Sequence, residues 1–338
     1  GQTYDTEINH FDGHTWQNSL FMDHALIQSI SMDSATDGWA VGNYGIPTRG
    51  FPQDGQVLLL HYTNGRWAQV WVTNFPTYSA PQSVQMLSAE DGWMVDWTPQ
   101  GETFFHYTAG RWQNVPFAPK SQASALAVMQ QPESAHDNPN PNIPVITQLQ
   151  MFSDTEGWGL GLWHNEQVIW RDHNGQWTAE LPISGGYNSM GANAANDVTI
   201  LLAPGTQPGV SLSQPYDAFN RPYSYVGGNF ELLHFNGTQW HTVQLPNDLA
   251  GMPIDSFEGD GNWLSVFAPS HTGDPPLAGI AHQSGGQWTM TTLPGSYLEV
   301  ISLADNQDGT ALAIVEQAAP PYASSLLRYA NGTWTQIG

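Results

Sequence analysis

The chain has 338 residues, no cysteine, and 30 acidic against seven basic side chains, which gives a formal net charge of −23 at pH 7. This charge excludes a basic footprint for nucleic acid or for an anionic membrane surface. The absence of cysteine excludes disulfides, thiolate catalysis and sulfur-ligated metals. No apolar run is long enough for a membrane-spanning helix.

The same composition also indicates where the protein is located. The chain contains a single lysine, Lys120, and is rich in Gln, Asn, Ser and Thr. Such a surface favours exposure outside the cell over cytoplasm. We therefore expect an extracellular or cell-surface protein, and no signal sequence is visible in the chain as given.

The first element in the chain is a half-repeat. Residues 1–19 contain "YDTEINHFDGHTWQNS", in which an Asp-Gly turn and Trp16 predict a hairpin. No matching first half precedes it, so three arrangements are open. The hairpin extends or covers a blade of its own disc, it is the incomplete first blade of a seven-membered ring, or it is donated to a neighbouring chain in self-assembly.

Two motifs then alternate over residues 25–338. The first is "SATDGWAVG" from Ser34, with "SAEDGWMVD" and "SDTEGWGLG" as later copies, and the second is "HYTNGRW" from His61, with "HYTAGRW" and "HFNGTQW" among its copies. The tryptophans of the second motif recur about every 45 to 65 residues, which is the period of a propeller blade. Each repeat predicts four short strands, A to D, with tight A–B and C–D turns.

The predicted fold is therefore all-β, a β-propeller of six four-stranded blades, or of seven if the N-terminal half counts. We expect residues 1–338 to form one domain. Eleven of the 15 tryptophans begin strand B or strand D, where a large ring seals the space between adjacent blades, so we expect them in the core. His61, His106 and His234 recur at the end of strand C and are interpreted as structural polar groups.

The two motifs together resemble the blade repeat of bacterial extracellular propellers, loosely grouped with sialidase-type (BNR) and photosystem II assembly-factor-like repeats. The resemblance covers nearly the whole chain and implies the fold. It implies little about function, because propellers include enzymes, lectins and scaffolds.

Long insertions predict where binding takes place. They fall in the B–C and D–A connections, which lie on one face of a propeller, whereas every A–B and C–D turn is short. Aromatic side chains on this face can stack on sugar rings or anchor a protein. The candidate binding residues are Tyr44, Phe51, Trp97, Trp163, Tyr216, Phe219, Tyr223, Tyr225, Tyr322, Asp96, Arg49 and Arg221.

Catalytic patterns are weak. A sialidase needs a cluster of arginines, but only Arg49 and Arg221 fall on the loop face. A glycosidase needs two convergent carboxylates, and Asp96 is suggestive because it replaces a glycine of the repeat. No motif for a serine hydrolase, phosphate loop or zinc protease occurs. Calcium is conceivable at "DNQDGT" from Asp305 or "EGDGN" from Glu258, although these are also ordinary turn sequences.

The predicted function is a non-enzymatic extracellular binding or structural module that contacts a glycan or protein partner through its loop face. The alternative is a carbohydrate-active enzyme, a glycoside hydrolase or lyase, that uses loop-face carboxylates around the central channel. No metal ligand or resident cofactor is assigned. The sequons at Asn236 and Asn331 coincide with Asn-Gly turns, which explain these residues without a glycan.

Overall fold

Strands are the regular elements of the part of the chain that can be described. The computed structural model describes residues 5–11, 15–44, 56–72, 75–76, 79–98, 101–115, 117, 145–163, 166–182, 187–202, 231–243, 245, 249, 252, 254–258, 261–268, 277–284, 287–306, 309–319 and 323–337. Within these ranges no helix long and apolar enough to cross a membrane occurs. The chain divides into two compact units, Gly1–Pro182 and Ile183–Gly338.

The first unit contains a hairpin and three four-stranded sheets, which we call the first, second and third blades. Its strands are β1 (Thr6–Phe11) and β2 (Trp16–Met22) in the hairpin; β3 (Ala25–Met32), β4 (Asp37–Tyr44), β5 (Gln56–Thr63) and β6 (Arg66–Gln69); β7 (Ala80–Ser88), β8 (Asp91–Thr98), β9 (Gly101–Thr108) and β10 (Arg111–Val115); and β11 (Val145–Ser153), β12 (Glu156–Trp163), β13 (Glu166–His173) and β14 (Gln176–Pro182).

The second unit contains the fourth, fifth and sixth blades. Its strands are β15 (Tyr187–Ala194), β16 (Asp197–Leu202), β17 (Glu231–Phe235) and β18 (Trp240–Val243); β19 (Ile254–Glu258), β20 (Trp263–Ala268), β21 (Leu277–Ser284) and β22 (Gln287–Thr291); and β23 (Tyr297–Asp305), β24 (Ala311–Gln317), β25 (Ser324–Ala330) and β26 (Thr333–Gln336).

Every four-stranded sheet is an antiparallel meander in which strands A, B, C and D pair in chain order. This confirms the predicted fold class, an all-β, six-bladed β-propeller. The hairpin β1–β2 is a separate two-stranded sheet and not a seventh four-stranded blade. That residues 1–338 form one domain stays a prediction.

Turn chemistry explains the repeated "HYTNGRW" sequence. At the C–D turn of the first blade, Asn64 and Gly65 have φ angles of 51° and 81°. Two successive positive φ values define the type I′ turn that matches the twist of a hairpin, and Asn-Gly adopts it with little strain. The third and sixth blades use the same pair, and the second blade uses Ala109 and Gly110. The motif is a structural turn, as predicted.

Within each unit the core lies between consecutive sheets and is built around tryptophan. Trp39 of strand B in the first blade meets Trp112 of strand D in the second blade edge to face, with ring centroids 5.5 Å apart. The fifth and sixth blades repeat this contact through Trp263 and Trp334 at 5.6 Å. All four rings are at most 4% exposed. Burying one such ring contributes about 4 kcal/mol, because it removes roughly 150 Å² or more from water.

Not every tryptophan at a strand start is buried, so the prediction of eleven core rings is wrong in part. Trp16 is 46% exposed, and Trp67 and Trp240 are only half-buried. Trp16 belongs to the two-stranded hairpin, where it packs on Phe11 across the pair at 5.2 Å. It therefore lacks the sheet-to-sheet setting that buries Trp112.

Histidines of strand C act as structural groups in the first two blades, as predicted. The ring of His61 stacks on Trp39 with centroids 4.2 Å apart, and its Nε2–H donates to the Asp37 carboxylate at 3.2 Å. The second blade repeats the arrangement through Trp93, His106 and Asp91. We call this arrangement the Asp–His pair. It ties strands B and C together at the C–D turn end of the blade.

The N-terminal hairpin packs on the first blade of its own chain. Ile8 is 9% exposed and lies in one apolar cluster with Leu58 and Leu60. The Thr6 hydroxyl donates to the Ala25 carbonyl at 2.6 Å. Of the three arrangements left open by the sequence, this packing fits a hairpin that covers a blade. Self-assembly through the hairpin stays a prediction.

We expect Ile8 to hold the hairpin in place. Ile8→Ala removes buried methyl groups and should cost about 2 kcal/mol, which corresponds to roughly 30-fold faster amide hydrogen exchange in β1 and β2 if the hairpin opens locally. Phe21→Ala is the control, because Phe21 lies on the same hairpin but is 53% exposed. Equal exchange rates in the two variants would show that Ile8 does not anchor the hairpin.

Candidate functional site

The B–C and D–A connections meet at one edge of each blade, which we call the loop edge. Most of the predicted binding residues there lie outside the described residues, so their role in binding stays a prediction. These are Arg49, Phe51, Tyr216, Phe219, Arg221, Tyr223, Tyr225 and Tyr322.

Three predicted aromatic residues lie at or next to the end of strand B and can be placed. Tyr44 ends β4, pairs with Ala25 and Gln56, and is 41% exposed. Trp97 lies one residue before the end of β8 and is half-buried. Trp163 ends β12 and is 9% exposed, with its ring 5.4 Å from Trp170. Tyr44 and Trp97 are therefore accessible at the loop edge, whereas Trp163 packs in the third blade.

Trp71 also lies at the loop edge, although it is not among the binding residues predicted from the sequence. It is 72% exposed, the highest value among the large apolar side chains that the structure describes. It follows β6 at the start of the D–A connection, and the Val70 N–H still donates to the Leu59 carbonyl at 2.9 Å. Because Leu59 lies only three residues from Gln56, which pairs with Tyr44, Trp71 lies toward the same end of the first blade as Tyr44.

The exposure of Trp71 is imposed by its neighbours. Val70 and Val72 both pack against the core between the first and second blades. Phe75, a little further along, packs on Phe105 with ring centroids 4.5 Å apart. Alternation along an extended chain then turns the side chain between the two valines outward. The signal in the sequence is the triplet Val-Trp-Val at the end of a strand.

Beneath this edge lies a buried carboxyl group, Asp96, which is 0% exposed. The Ser79 hydroxyl donates to its Oδ2, and Asn43 of the first blade donates to the Ser79 carbonyl at 3.2 Å. Burial raises the pKa of Asp96 to about 7, and the hydrogen bonds from Ser79 and from the Ala80 backbone offset only part of this rise. Asp96 therefore links two blades from the interior.

Glu102 is a second carboxyl group near this edge. The Ile146 N–H of the third blade donates to its Oε2, and burial raises its pKa. In the register of β8 and β9, Asp96 is opposite Thr103 and Trp97 is opposite Glu102. Neighbouring residues on a strand point to opposite faces. Asp96 and Glu102 therefore project from opposite faces of the second blade and do not converge.

The two candidate calcium-binding segments lie only partly within the residues that the structure describes. In "DNQDGT", the Asn306 N–H donates to the Thr310 carbonyl at 2.8 Å, which is a turn contact. Part of that segment and part of "EGDGN" lie outside the described residues. Among the residues that can be placed, no group of three or more His, Asp or Glu side chains converges. Calcium binding stays a prediction.

No protein-family model matches the sequence, and no curated protein matches it. Among solved structures, the chain is similar to YCF48 from Cyanidioschyzon merolae, with 14% identity, a TM-score of 0.53, and coverage of 93% of this chain and 85% of that one. A protein from Lactobacillus plantarum is similar with 10% identity, a TM-score of 0.53, and coverage of 96% and 87%.

The acylaminoacyl peptidase of Pyrococcus horikoshii is also similar, with 7% identity and a TM-score of 0.56. This likeness covers 93% of the present chain but only 46% of the peptidase. At identities this low, the three likenesses show the β-propeller fold alone.

Proposed function

We propose that this chain is an extracellular binding module that holds a glycan or protein partner against the loop edge of its first two blades. The observation that carries the proposal is Trp71, a tryptophan held outside the core by two valines that pack into it. Trp71, Tyr44 and Trp97, which lie at the loop edges of the first two blades, are together called the aromatic edge. Compositional features and the blade-repeat resemblance support an extracellular location.

An exposed indole that is fixed in place is suited to recognition. It offers a large flat surface to a sugar ring or an apolar side chain, and little conformational freedom is lost when the ligand binds. Tryptophan and tyrosine are accordingly enriched among the residues that dominate binding energy. The aromatic edge therefore has the chemistry of a stacking platform.

Charge narrows the ligand class. The chain carries a net charge of −23, which disfavours an anionic ligand through the long-range field of the whole protein. Neutral glycans, or partners with basic surfaces, are favoured over sialylated or sulfated glycans. This preference distinguishes the proposed site from one that grips a carboxylate through arginines.

Among the described carboxyl groups, the alternative of a carbohydrate-active enzyme gains little support. Catalysis by two carboxylates needs both groups to face one substrate. Asp96 and Glu102 project from opposite faces of the second blade, and Asp96 is closed to solvent. The interactions of Asp96 with Ser79 fit a structural role between blades.

We expect Trp71→Ala to weaken ligand binding by about 2 kcal/mol, or roughly 30-fold, as truncation of a central aromatic contact does. Trp97→Ala should act in the same direction. The melting temperature of Trp71→Ala should change little, because the ring is exposed. Binding is measured first on an array of neutral and acidic glycans and then by calorimetry on the best glycan.

Trp16→Ala is the matched control for this experiment, because Trp16 is also exposed but begins β2 of the N-terminal hairpin. It should bind like the unmodified protein. An array without any retained glycan would favour a protein partner. Retained glycans whose affinity is unaffected by Trp71→Ala, or a preference for acidic glycans, would contradict the proposed site.

Asp96 generates a separate prediction about pH. Its pKa is about 7 in the folded chain against about 3.9 in an unfolded chain, so the folded state binds more protons between these values. The stabilisation is fully present below pH 4 and is lost as the pH rises through 7. In the unmodified protein, Asp96 should lower the free energy of unfolding by about 2 kcal/mol between pH 5 and pH 7.5. We expect Asp96→Asn to abolish this contribution, as measured by urea denaturation at the two pH values.

Glu90→Gln is the control for Asp96→Asn, because Glu90 lies in the exposed A–B turn of the same blade. It should leave the pH dependence unchanged. If Asp96→Asn abolishes an enzymatic activity while the stability profile stays as it was, Asp96 is a catalytic group and the structural interpretation is wrong.

A further inference from the structure

The fourth blade carries an elaborated form of the Asp–His pair. Its strand-C histidine, His234, has its Nε2 2.6 Å from Oδ1 of Asp197 at the start of strand B. On the far side of the same ring, Nδ1 lies 3.2 Å from Nε2 of His241 in strand D. The two imidazoles are cross-strand partners in the register of β17 and β18.

This second histidine distinguishes the fourth blade from the others that carry a histidine in strand C. The residue opposite His61 in the first blade is Ala68, and the residue opposite His106 in the second is Gln113. In the fifth blade, Thr289 is opposite His282. A histidine in strand C therefore recurs in three blades that have no histidine at the position of His241.

The Asp197 contact determines which ring nitrogen of His234 carries the proton. A carboxylate accepts only from an N–H, so Nε2 holds the hydrogen and Nδ1 of the neutral ring presents its lone pair. That lone pair faces His241. Carboxylates that orient a histidine in this way are the usual outer partners of metal-bound imidazoles, and they raise the basicity of the ligand.

The spacing of the two nitrogens also fits a metal ion. Bonds of about 2.1 Å from each nitrogen, meeting at about 100°, place the nitrogens about 3.2 Å apart. The side chain of His234 is 26% exposed and His241 is exposed, so an ion can reach both. Since no group of three such ligands converges within the described ranges, water would complete the coordination.

We propose that His234 and His241 form a binding site for a divalent transition-metal ion that prefers imidazole, with Asp197 as the positioning residue. Copper(II) is the tightest-binding probe, because affinities of nitrogen ligands rise along the first row to copper. The site lies on the outer strands of the fourth blade. It neither includes nor depends on the aromatic edge.

The test is titration of protein without an affinity tag with copper(II) at pH 7.5, followed by calorimetry and by electron paramagnetic resonance. We expect one site with two imidazole nitrogens. His241→Gln keeps a polar group against His234 but removes the second imidazole, and it should weaken binding at least tenfold. Asp197→Ala should weaken it about tenfold, as loss of an outer partner does. Binding should also weaken at pH 5, where protons compete for the nitrogens.

Two further variants separate the site from adventitious binding to the other histidines. His106→Ala removes an Asp–His pair that lacks a second histidine, and it should leave the affinity unchanged. Ala68→His places an imidazole opposite His61, at an exposed position equivalent to that of His241. It should create a second site of similar affinity.

The proposal is overturned if His241→Gln binds copper(II) as the unmodified protein does, or if His106→Ala, with a circular dichroism spectrum like that of the unmodified protein, causes the same loss. It is also overturned if Ala68→His gains no site although its fold, checked by circular dichroism, is intact. In each of these cases the contact between His234 and His241 is a hydrogen bond and nothing more.

Discussion

The contact between a strand-B tryptophan and the aromatic rings of the next blade is the interaction on which the rest of the structure depends. A four-stranded meander buries little apolar surface by itself, because both faces of an isolated sheet are exposed to water. Trp39 against Trp112, and Trp263 against Trp334, close the space between successive sheets with large rings. Where no such setting exists, as at Trp16, the same residue type is left exposed.

These rings also explain the polar groups around them. A buried indole is flat, and in the first and second blades a histidine ring covers it and is held by the aspartate that begins strand B. Arg171 occupies the corresponding position over Trp158 in the third blade, 5.1 Å from the ring centroid. A structural pair that recurs in this way is a scaffold to which a further ligand can be added, and His241 is such an addition in the fourth blade.

Rigidity at the core is likewise what makes the loop edge suited to binding. Trp71 is exposed because Val70 and Val72 on either side of it pack against the core, and not because the segment is unconstrained. Asp96 and Ser79 add a polar link between the first and second blades near the ends of their B strands. A binding surface supported from below in this way loses little freedom when a ligand docks.

Several features of this protein were predictable from the sequence, because they depend on local chemistry. Asn-Gly at positive φ, the alternation of strands, and the repeat of Asp-Gly-Trp predict six four-stranded blades and the structural role of His61 and His106. The N-terminal hairpin follows from its Asp-Gly turn. Each of these features involves residues that are close in the chain, so their spacing carries the information.

Only the tertiary structure decided the rest, because burial depends on which sheets meet and the direction of a side chain depends on strand register. Trp163 and Trp97 look alike in the sequence, yet one packs on Trp170 and the other stays accessible. Asp96 and Glu102 are six residues apart, and strand register alone places them on opposite faces. His234 and His241 are in contact because the register of β17 and β18 places them opposite each other. No motif in the sequence indicates this register.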